Sequence, residues 1–393
     1  MTNATVARAT APIVAASLYE VETRFATPYR LSRAYGTLST TRAVFVKLVD
    51  RDGVEGWGEA NPMHPFTDES VEQTLEQLRA TILPAVFCAS APEPGPVDSM
   101  LDRILPGYLC AKGAVTMALL DILGKRLGVP AALLLGGALR RSLPVLWPLG
   151  SGSADDDAAV IDERAPQGYK TFMLKMGAAP VGDEIRRIEA LEARYGANIG
   201  LIADANQGWT AGEAREFLEA AAGSRLLFVE QPVAKEDIDT LAALARDSAL
   251  PLSADESLTG LAGAAEIARK RAASIFSIKS SKNGGPLRAQ KISSLAQAHG
   301  IRCYMNSMLE FGVTQAASLA HAVTIEPLFD AGHAFMSTLR LAEDPTDFSE
   351  WVRDGVVTMP ARPGLGVRVD EAHVRRLARS SAVVGAASPA RSV

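Results

Sequence analysis

The spacing of apolar residues along the first third of the chain is typical of strands followed by helices. Residues 13–23 are rich in β-branched side chains, and residues 42–50 alternate apolar and polar positions, which predicts two strands. Helical spacing follows over residues 68–87 and 111–127. Strands grouped before helices predict a separate α+β unit over residues 1–140, of which about the first ten residues form a flexible tail.

From residue 141 onward, short apolar runs alternate with amphipathic helical segments. Nearly continuous apolar strands joined by helices are typical of a parallel sheet buried on both faces. Eight such runs predict a (β/α)8 barrel over residues 141–360, so the fold class is α/β. The predicted strands are Val145–Leu149, Thr171–Lys175, Ile199–Asp204, Leu226–Glu230, Leu252–Asp255, Ile275–Lys279, Cys303–Ser307 and His333–Ser337.

Composition and charge exclude several classes of protein. The 393 residues carry a net charge of −5, which argues against a nucleic-acid-binding protein. No apolar run is long enough to cross a membrane, and no secretory signal is visible. Three widely spaced cysteines argue against a disulfide framework and a zinc site, and indicate a cytoplasmic protein.

Charged residues stand at the carboxyl ends of five successive predicted strands. They are Lys175, Asp204, Glu230, Asp255 and Lys279, at intervals of 24 to 29 residues. Because the strands of a barrel are parallel, these side chains should meet at one mouth, where barrel enzymes carry their active sites.

The three carboxylates, Asp204, Glu230 and Asp255, form an oxygen-rich set of ligands. Such a set suits Mg²⁺, or alternatively Mn²⁺, better than zinc. Without a cation, at least one of these crowded carboxylates should take up a proton.

Lys175 and Lys279 flank the three carboxylates in strand order. A lysine beside a divalent cation should have a lowered pKa and could act as a base. This predicts removal of the proton α to a carboxylate, with a metal-stabilised enediolate and a second lysine on the other face.

Several motifs resemble those of the enolase superfamily, and within it the muconate lactonizing enzyme subgroup. They are GWGEA at 56–60, LLGG at 134–137, LPVLWPLGSG at 143–152, IKSSKNGGP at 278–286, SMLEFG at 307–312 and PGLGV at 363–367. The resemblance implies a modified barrel with an N-terminal capping domain, to which residues 361–393 return before a flexible tail. It also implies a homo-oligomer, either a dimer or an octamer.

By the same resemblance, Asp204, Glu230 and Asp255 are metal ligands, and Lys175 and Lys279 are the acid/base pair. Asn206 and Glu256 would orient those ligands or tune a lysine.

The resemblance also implies that two capping-domain loops close over the mouth and select the substrate. In these loops Tyr29, Arg30, Arg33 and His64 are candidate substrate contacts, and either arginine could bind a second anionic group.

Two positions depart from the family pattern. Met173 stands where the second strand usually carries an additional lysine, and His333 stands where the eighth strand usually carries a carboxylate. The second departure argues against a dipeptide epimerase. His333 is equally compatible with a substrate contact and a core histidine, and Glu310 with a cavity residue and a ligand of the backbone.

These residues predict a metal-dependent isomerase acting on a small carboxylate, either a cycloisomerase or a racemase/epimerase. A dehydratase of a small hydroxy acid or hydroxyproline-like acid is the alternative reaction. An alternative from another class is a carboxylate-binding protein that has lost catalysis, supported by the missing outer lysine.

Overall fold

The first strands of the chain form an antiparallel sheet with the C-terminal strand. The structure, a computed structural model, describes residues 10–150 and 152–385. The last strand, Ala378–Gly385, pairs with the outer edge of the first strand, Ile13–Arg30, so the C-terminal segment returns to the first sheet. The strands of this sheet are β1 (Ile13–Arg30), β2 (Thr37–Asp50), β3 (Glu55–Ala60) and β14 (Ala378–Gly385).

Five helices follow this sheet in the chain. Ser70 caps the first of them with a reciprocal hydrogen-bonded box, and a turn of π-helix at Leu78–Ile82 joins it to the second. The helix Leu109–Leu127 is buried around most of its circumference because it packs against the antiparallel sheet and also against the later helix Pro286–Ala298. The helices are α1 (Val71–Gln77), α2 (Leu83–Phe87), α3 (Pro94–Ile104), α4 (Leu109–Leu127) and α5 (Ala131–Leu134).

The second sheet is parallel, and its seven strands lie in chain order, from Trp147–Leu149 at one edge to Arg302–Met305 at the other. The strands are β5 (Trp147–Leu149), β6 (Thr171–Lys175), β7 (Gly200–Asp204), β8 (Leu226–Glu230), β9 (Leu252–Ala254), β10 (Ile275–Ile278) and β11 (Arg302–Met305). The intervening helices are α6 (Ala154–Arg164), α7 (Val181–Tyr195), α8 (Ala211–Ala220), α9 (Ile238–Asp247), α10 (Gly260–Lys270) and α11 (Pro286–Ala298). This curled sheet, with the preceding antiparallel unit, confirms the α/β class.

The predicted eighth strand, His333–Ser337, is wrong. In its place His333 accepts a hydrogen bond from the Leu146 N–H at 3.0 Å, and Ala334 N–H donates to Met305 at 2.9 Å. The chain then turns, because Phe335 N–H bonds back to His333, and continues as a short 3₁₀ helix at Ser337–Arg340. The segment therefore bridges both edges of the curled sheet without extending far enough to form a strand.

The remaining elements are β4 (Ser142–Pro144), β12 (Val352–Arg353) and β13 (Val356–Thr358), which form a small sheet, and α12 (Gly312–Ala322) and α13 (Glu371–Leu377). None of the helices described here combines the length and apolar character needed to cross a bilayer. The three cysteines are free, as expected. The domain boundaries at residues 140 and 360 stay predictions.

Candidate active site at the carboxyl edge of the parallel sheet

The structure brings the five predicted strand-end charges together at one edge of the parallel sheet. Lys175, Asp204 and Glu230 are the last residues of β6, β7 and β8 and lie side by side in register. Asp255 and Lys279 directly follow β9 and β10. All five are buried, so their charges interact with little screening by water.

Each lysine forms an ion pair with one of the carboxylates. Lys175 Nζ contacts Asp204 Oδ2, and Lys279 Nζ lies 2.6 Å from Asp255 Oδ2. A third lysine, Lys282, is also buried and lies 2.9 Å from the other oxygen of Asp255.

These pairs set the direction of the lysine pKa shifts. Burial alone would lower the pKa of Lys175, but the charge of Asp204 raises it above its usual range. The pKa of Lys279 is raised in the same way by Asp255, against the effect of burial. Without a cation, the protein therefore raises the pKa of both Lys175 and Lys279, which is opposite to the lowered pKa expected beside a cation. Burial does lower the pKa of Lys282.

Glu230 lies between the other two carboxylates and is held by an amide. Asn306 Nδ2 donates to Glu230 Oε1 at 2.7 Å and also to Ser277 Oγ at 2.9 Å. The other oxygen, Oε2, is buried and has no hydrogen-bond partner among the described residues. Burial and the charges of Asp204 and Asp255 raise the pKa of Glu230 well above its usual range. A proton on this carboxyl is the outcome expected for crowded carboxylates.

The donor atoms fit a hard divalent cation. In the described part of the chain, no group of three acidic, histidine or cysteine side chains is arranged as a coordination site. Within this cluster, Asp204 and Asp255 contact lysines instead. However, Glu230 Oε2 is a buried oxygen that the neighbouring lysines and amide leave without a partner, and it stands beside Asp204 and Asp255. Mg²⁺ or Mn²⁺ would find three carboxylates as oxygen ligands here.

Asn206 and Glu256 lie next to the carboxylates. Asn206 N–H donates to Asp204 Oδ1 at 2.9 Å, and its side-chain amide donates to Glu256 Oε1 at 3.3 Å. Burial and the charge of Asp255 raise the pKa of Glu256 to about 8. Asn206 therefore contacts one predicted ligand directly, and Glu256 is joined to that ligand through Asn206.

The loop between β1 and β2 crosses the mouth of the site and is fixed to it by hydrogen bonds. Ser32 Oγ donates to the Asn206 carbonyl at 3.0 Å, and Gln207 Nε2 donates to the Tyr35 hydroxyl at 2.5 Å. The first sheet therefore contributes one wall of the site.

A cavity of about 40 Å³ lies under this loop and reaches Lys175 and Lys279. Most of its walls are apolar. Tyr29 and Phe66 stand close to the lysines: Lys279 Nζ is 4.2 Å from the Phe66 ring centre, and Lys175 Nζ is 5.9 Å from that of Tyr29. Met173, at the departure from the family pattern, lines the same cavity.

Two family comparisons cover most of the chain. The mandelate racemase/muconate lactonizing enzyme N-terminal domain matches residues 13–136, and the enolase C-terminal domain-like family matches residues 156–373. This chain belongs to the enolase superfamily. Within it, the N-terminal match identifies the mandelate racemase/muconate lactonizing enzyme group, as the sequence motifs indicated.

Three proteins to which this superfamily member is similar are isomerases by name. Muconate cycloisomerase 1 of Acinetobacter baylyi is 32% identical over 356 residues, 90% of this chain and 95% of that protein. L-Ala-D/L-Glu epimerase of Bacillus subtilis is 32% identical and covers 85% of this chain and 91% of its own. The crystal structure of N-succinyl Arg/Lys racemase from Bacillus cereus superposes with a TM-score of 0.89 at 28% identity, covering 95% of this chain and all of that one.

Three predicted substrate contacts lie outside the cavity. Arg33 is ion-paired with Glu213 at 2.7 Å, so its charge is already used to fix the loop. Arg30 is exposed and faces a second cavity, and His64 is exposed on a different surface depression. Of the predicted capping-loop contacts, Tyr29 alone lines the space between the lysines.

Glu310 and His333 both serve the backbone. Glu310 accepts hydrogen bonds from Ser307 Oγ at 2.9 Å and from the Met308 N–H. His333 is buried, and its Nδ1 accepts from Met305 N–H at 3.1 Å. Burial lowers the pKa of His333 to about 3, so it stays neutral. Both side chains therefore take the backbone-bonding alternative in this structure: His333 holds its segment against β11, and Glu310 closes the turn that follows β11.

Lys282 and Asn306 are site residues that the sequence analysis did not assign. Lys282 stands in a turn after β10, where Asn283 Oδ1 accepts from the Lys279 N–H at 2.9 Å and folds the chain back toward Asp255. Asn306 follows β11 directly, so the rule that selected the other strand-end residues also applies to it.

Proposed function

We propose that this protein is a divalent-metal-dependent isomerase that removes and returns the proton α to a substrate carboxylate. The observation that carries the proposal is the placement of two buried lysines. Lys175 on β6 and Lys279 after β10 line one cavity, and the three carboxylates stand on the strands between them. A substrate carbon in this cavity would have a proton donor or acceptor on each face.

The residues divide the chemistry as follows. Asp204, Glu230 and Asp255 would hold the cation, which supplies positive charge to stabilise the dianion formed from the substrate carboxylate. The Nζ atom of one lysine takes the proton as the carbon–hydrogen bond breaks. In racemisation or epimerisation, the ammonium of the other lysine gives a proton to the opposite face of the same carbon. The apolar walls exclude water that would otherwise exchange these protons.

The superfamily relatives support isomerisation over the alternative dehydration. Cycloisomerases, an epimerase and a racemase all align over most of the chain. The retention of both lysines in one cavity also argues against a binding protein that has lost catalysis. Cytoplasmic location and a homo-oligomeric assembly remain proposals.

A proton-exchange experiment tests the function. The protein with Mg²⁺ is incubated in D₂O with a library of small carboxylates, including N-acylated amino acids and muconate, and followed by proton NMR. Loss of an α-proton signal, dependent on both Mg²⁺ and Lys175, is expected for a substrate. A Lys282→Met variant is compared with Lys175→Met, since Lys282 contacts Asp255 but does not line the cavity. Absence of exchange with every compound would contradict the proposal.

A further inference from the structure

A second, larger cavity adjoins the one that contains the lysines. It measures about 380 Å³ and lies between the end of β1, the carboxyl end of β5 and helix α6. Tyr29 and Pro148 line both cavities, so they form a shared wall.

Arg340 stands at this wall. Its guanidinium carbon lies 3.9 Å from the centre of the Tyr29 ring and 6.0 Å from that of Phe25. Nη1 of Arg340 is buried and has no hydrogen-bond partner among the described residues, and the polar neighbour of the guanidinium is the Tyr29 side chain rather than a carboxylate. Burying a guanidinium without a counter-charge is unfavourable, so the position calls for an anion.

The acidic side chains of the second cavity are already occupied by other partners. They are Asp156, which accepts from Ser153 N–H at 3.0 Å, Asp157, paired with Arg187 at 2.5 Å, and Glu163, paired with Arg164 at 3.2 Å. None of them is the counter-charge of Arg340. Arg30, on the rim, adds a further positive charge.

We propose that Arg340 forms a second anion subsite, which binds a distal carboxylate of the substrate. This inference rests on the proposed function, since it takes the reacting carboxylate to lie near Lys175. The Tyr29 ring centre is 5.9 Å from Lys175 Nζ and 3.9 Å from the Arg340 guanidinium carbon. Both cationic side chains therefore lie close to the same ring. An extended chain covers roughly 3.3–3.6 Å per residue, so an N-acylated amino acid is long enough to span from one cation to the other. The proposal requires such a ligand to pass beside the wall of Tyr29 and Pro148 that the two cavities share. Arginine suits the role because its planar fork matches a carboxylate.

The test compares a diacid with its neutral isostere. N-succinyl-L-leucine and the same molecule with the distal carboxylate replaced by a primary amide are titrated calorimetrically into the Mg²⁺-loaded protein. We expect the diacid to bind roughly 10- to 100-fold more tightly, the range of a charge-assisted hydrogen bond. Arg340→Gln should remove this preference and leave the affinity for the amide unchanged.

Arg302→Gln is the matched control. Its guanidinium also lies over a ring, at 5.1 Å from Phe329, but it is paired with Asp330 and lies away from both cavities. This variant should keep the full preference for the diacid. If Arg340→Gln fails to fold, Arg340→Lys replaces it, and loss of most of the preference is expected because an ammonium cannot bind both oxygens.

A second probe, sulfate, tests the anion site without the substrate. Sulfate should bind the wild type, be displaced by the diacid, and fail to bind Arg340→Gln. Equal affinity for the diacid and amide, a preference retained in Arg340→Gln, or sulfate binding that the diacid does not displace would each overturn the subsite. These experiments measure binding, whereas the proposed function is tested by proton exchange. The subsite can therefore be refuted while exchange occurs, and it can be supported while no exchange is found.

Discussion

Replacing Lys175 with methionine would remove an ammonium that stands against Asp204 inside the protein. The two side chains are 9% and 1% exposed, so water cannot replace the lost partner. Removing one member of a buried ion pair costs about 3–5 kcal/mol, because the other charge is left uncompensated. Methionine keeps most of the apolar stem. We therefore expect the metal-free variant to lose about that much free energy of unfolding.

The same ammonium competes with a cation for Asp204. Mg²⁺ should therefore stabilise Lys175→Met more than it stabilises the wild type, since a ligand at 100 times its dissociation constant adds about 2.7 kcal/mol. Urea denaturation followed by circular dichroism, with a chelator and with excess Mg²⁺, measures both effects. Lys235→Met is the control, because its ion pair with Asp68 is exposed and worth about 0.2–1 kcal/mol. An unchanged unfolding energy without metal, or equal Mg²⁺ responses, would refute the reasoning.

Four further substitutions test the site and, at Glu59, a buried carboxyl of β3 that accepts hydrogen bonds from the Phe311 and Thr314 N–H groups. Asp255→Asn should weaken Mg²⁺ binding and abolish turnover with a native circular dichroism spectrum; normal metal binding would remove it from the ligand set. In a racemase, Lys175→Ala and Lys279→Ala should each stop exchange from one enantiomer, whereas in a cycloisomerase one of them should cost roughly 10²–10⁴-fold more than the other; NMR in D₂O separates these patterns. Burial raises the pKa of Glu59 from 4.5 to about 8, so the stability of the wild type should fall as pH rises through that interval. Glu59→Gln cannot titrate, so its unfolding energy relative to the wild type should rise by up to about 1.4 kcal/mol per pH unit there; a pH-independent difference in denaturation would exclude this.

The positions of the reacting groups could be predicted because parallel strands all present their carboxyl ends at one edge. Lys175, Asp204 and Glu230 end apolar runs of five residues, a pattern that is visible without any knowledge of the partners. The strand boundaries follow from the same local pattern, and those of β6 and β8 agree with the prediction residue for residue.

Contacts between distant segments could not be predicted in this way. Arg33 pairs with a residue 180 positions away, and nothing in its own loop indicates that its charge is already neutralised. His333 begins an apolar segment of strand-like composition, yet the chain turns after two pairing residues. Lys282 reaches Asp255 because the Asn283 side chain folds the turn back. A prediction that uses only the last residue of each strand does not include such a contact.

The pKa directions imply that Lys175 cannot act as a base while it faces Asp204 alone. In that arrangement the carboxylate holds the lysine pKa above its usual range, so Nζ stays protonated at neutral pH. If Asp204 instead directs its oxygen to a divalent cation, the lysine loses its counter-charge and gains a repelling one. Burial, which by itself lowers the pKa, then becomes dominant and favours the neutral amine. With a cation held by Asp204, Lys175 would be available as a base in the same state in which the site carries the charge that would stabilise the dianion, so proton removal and its stabilisation would depend on the same event.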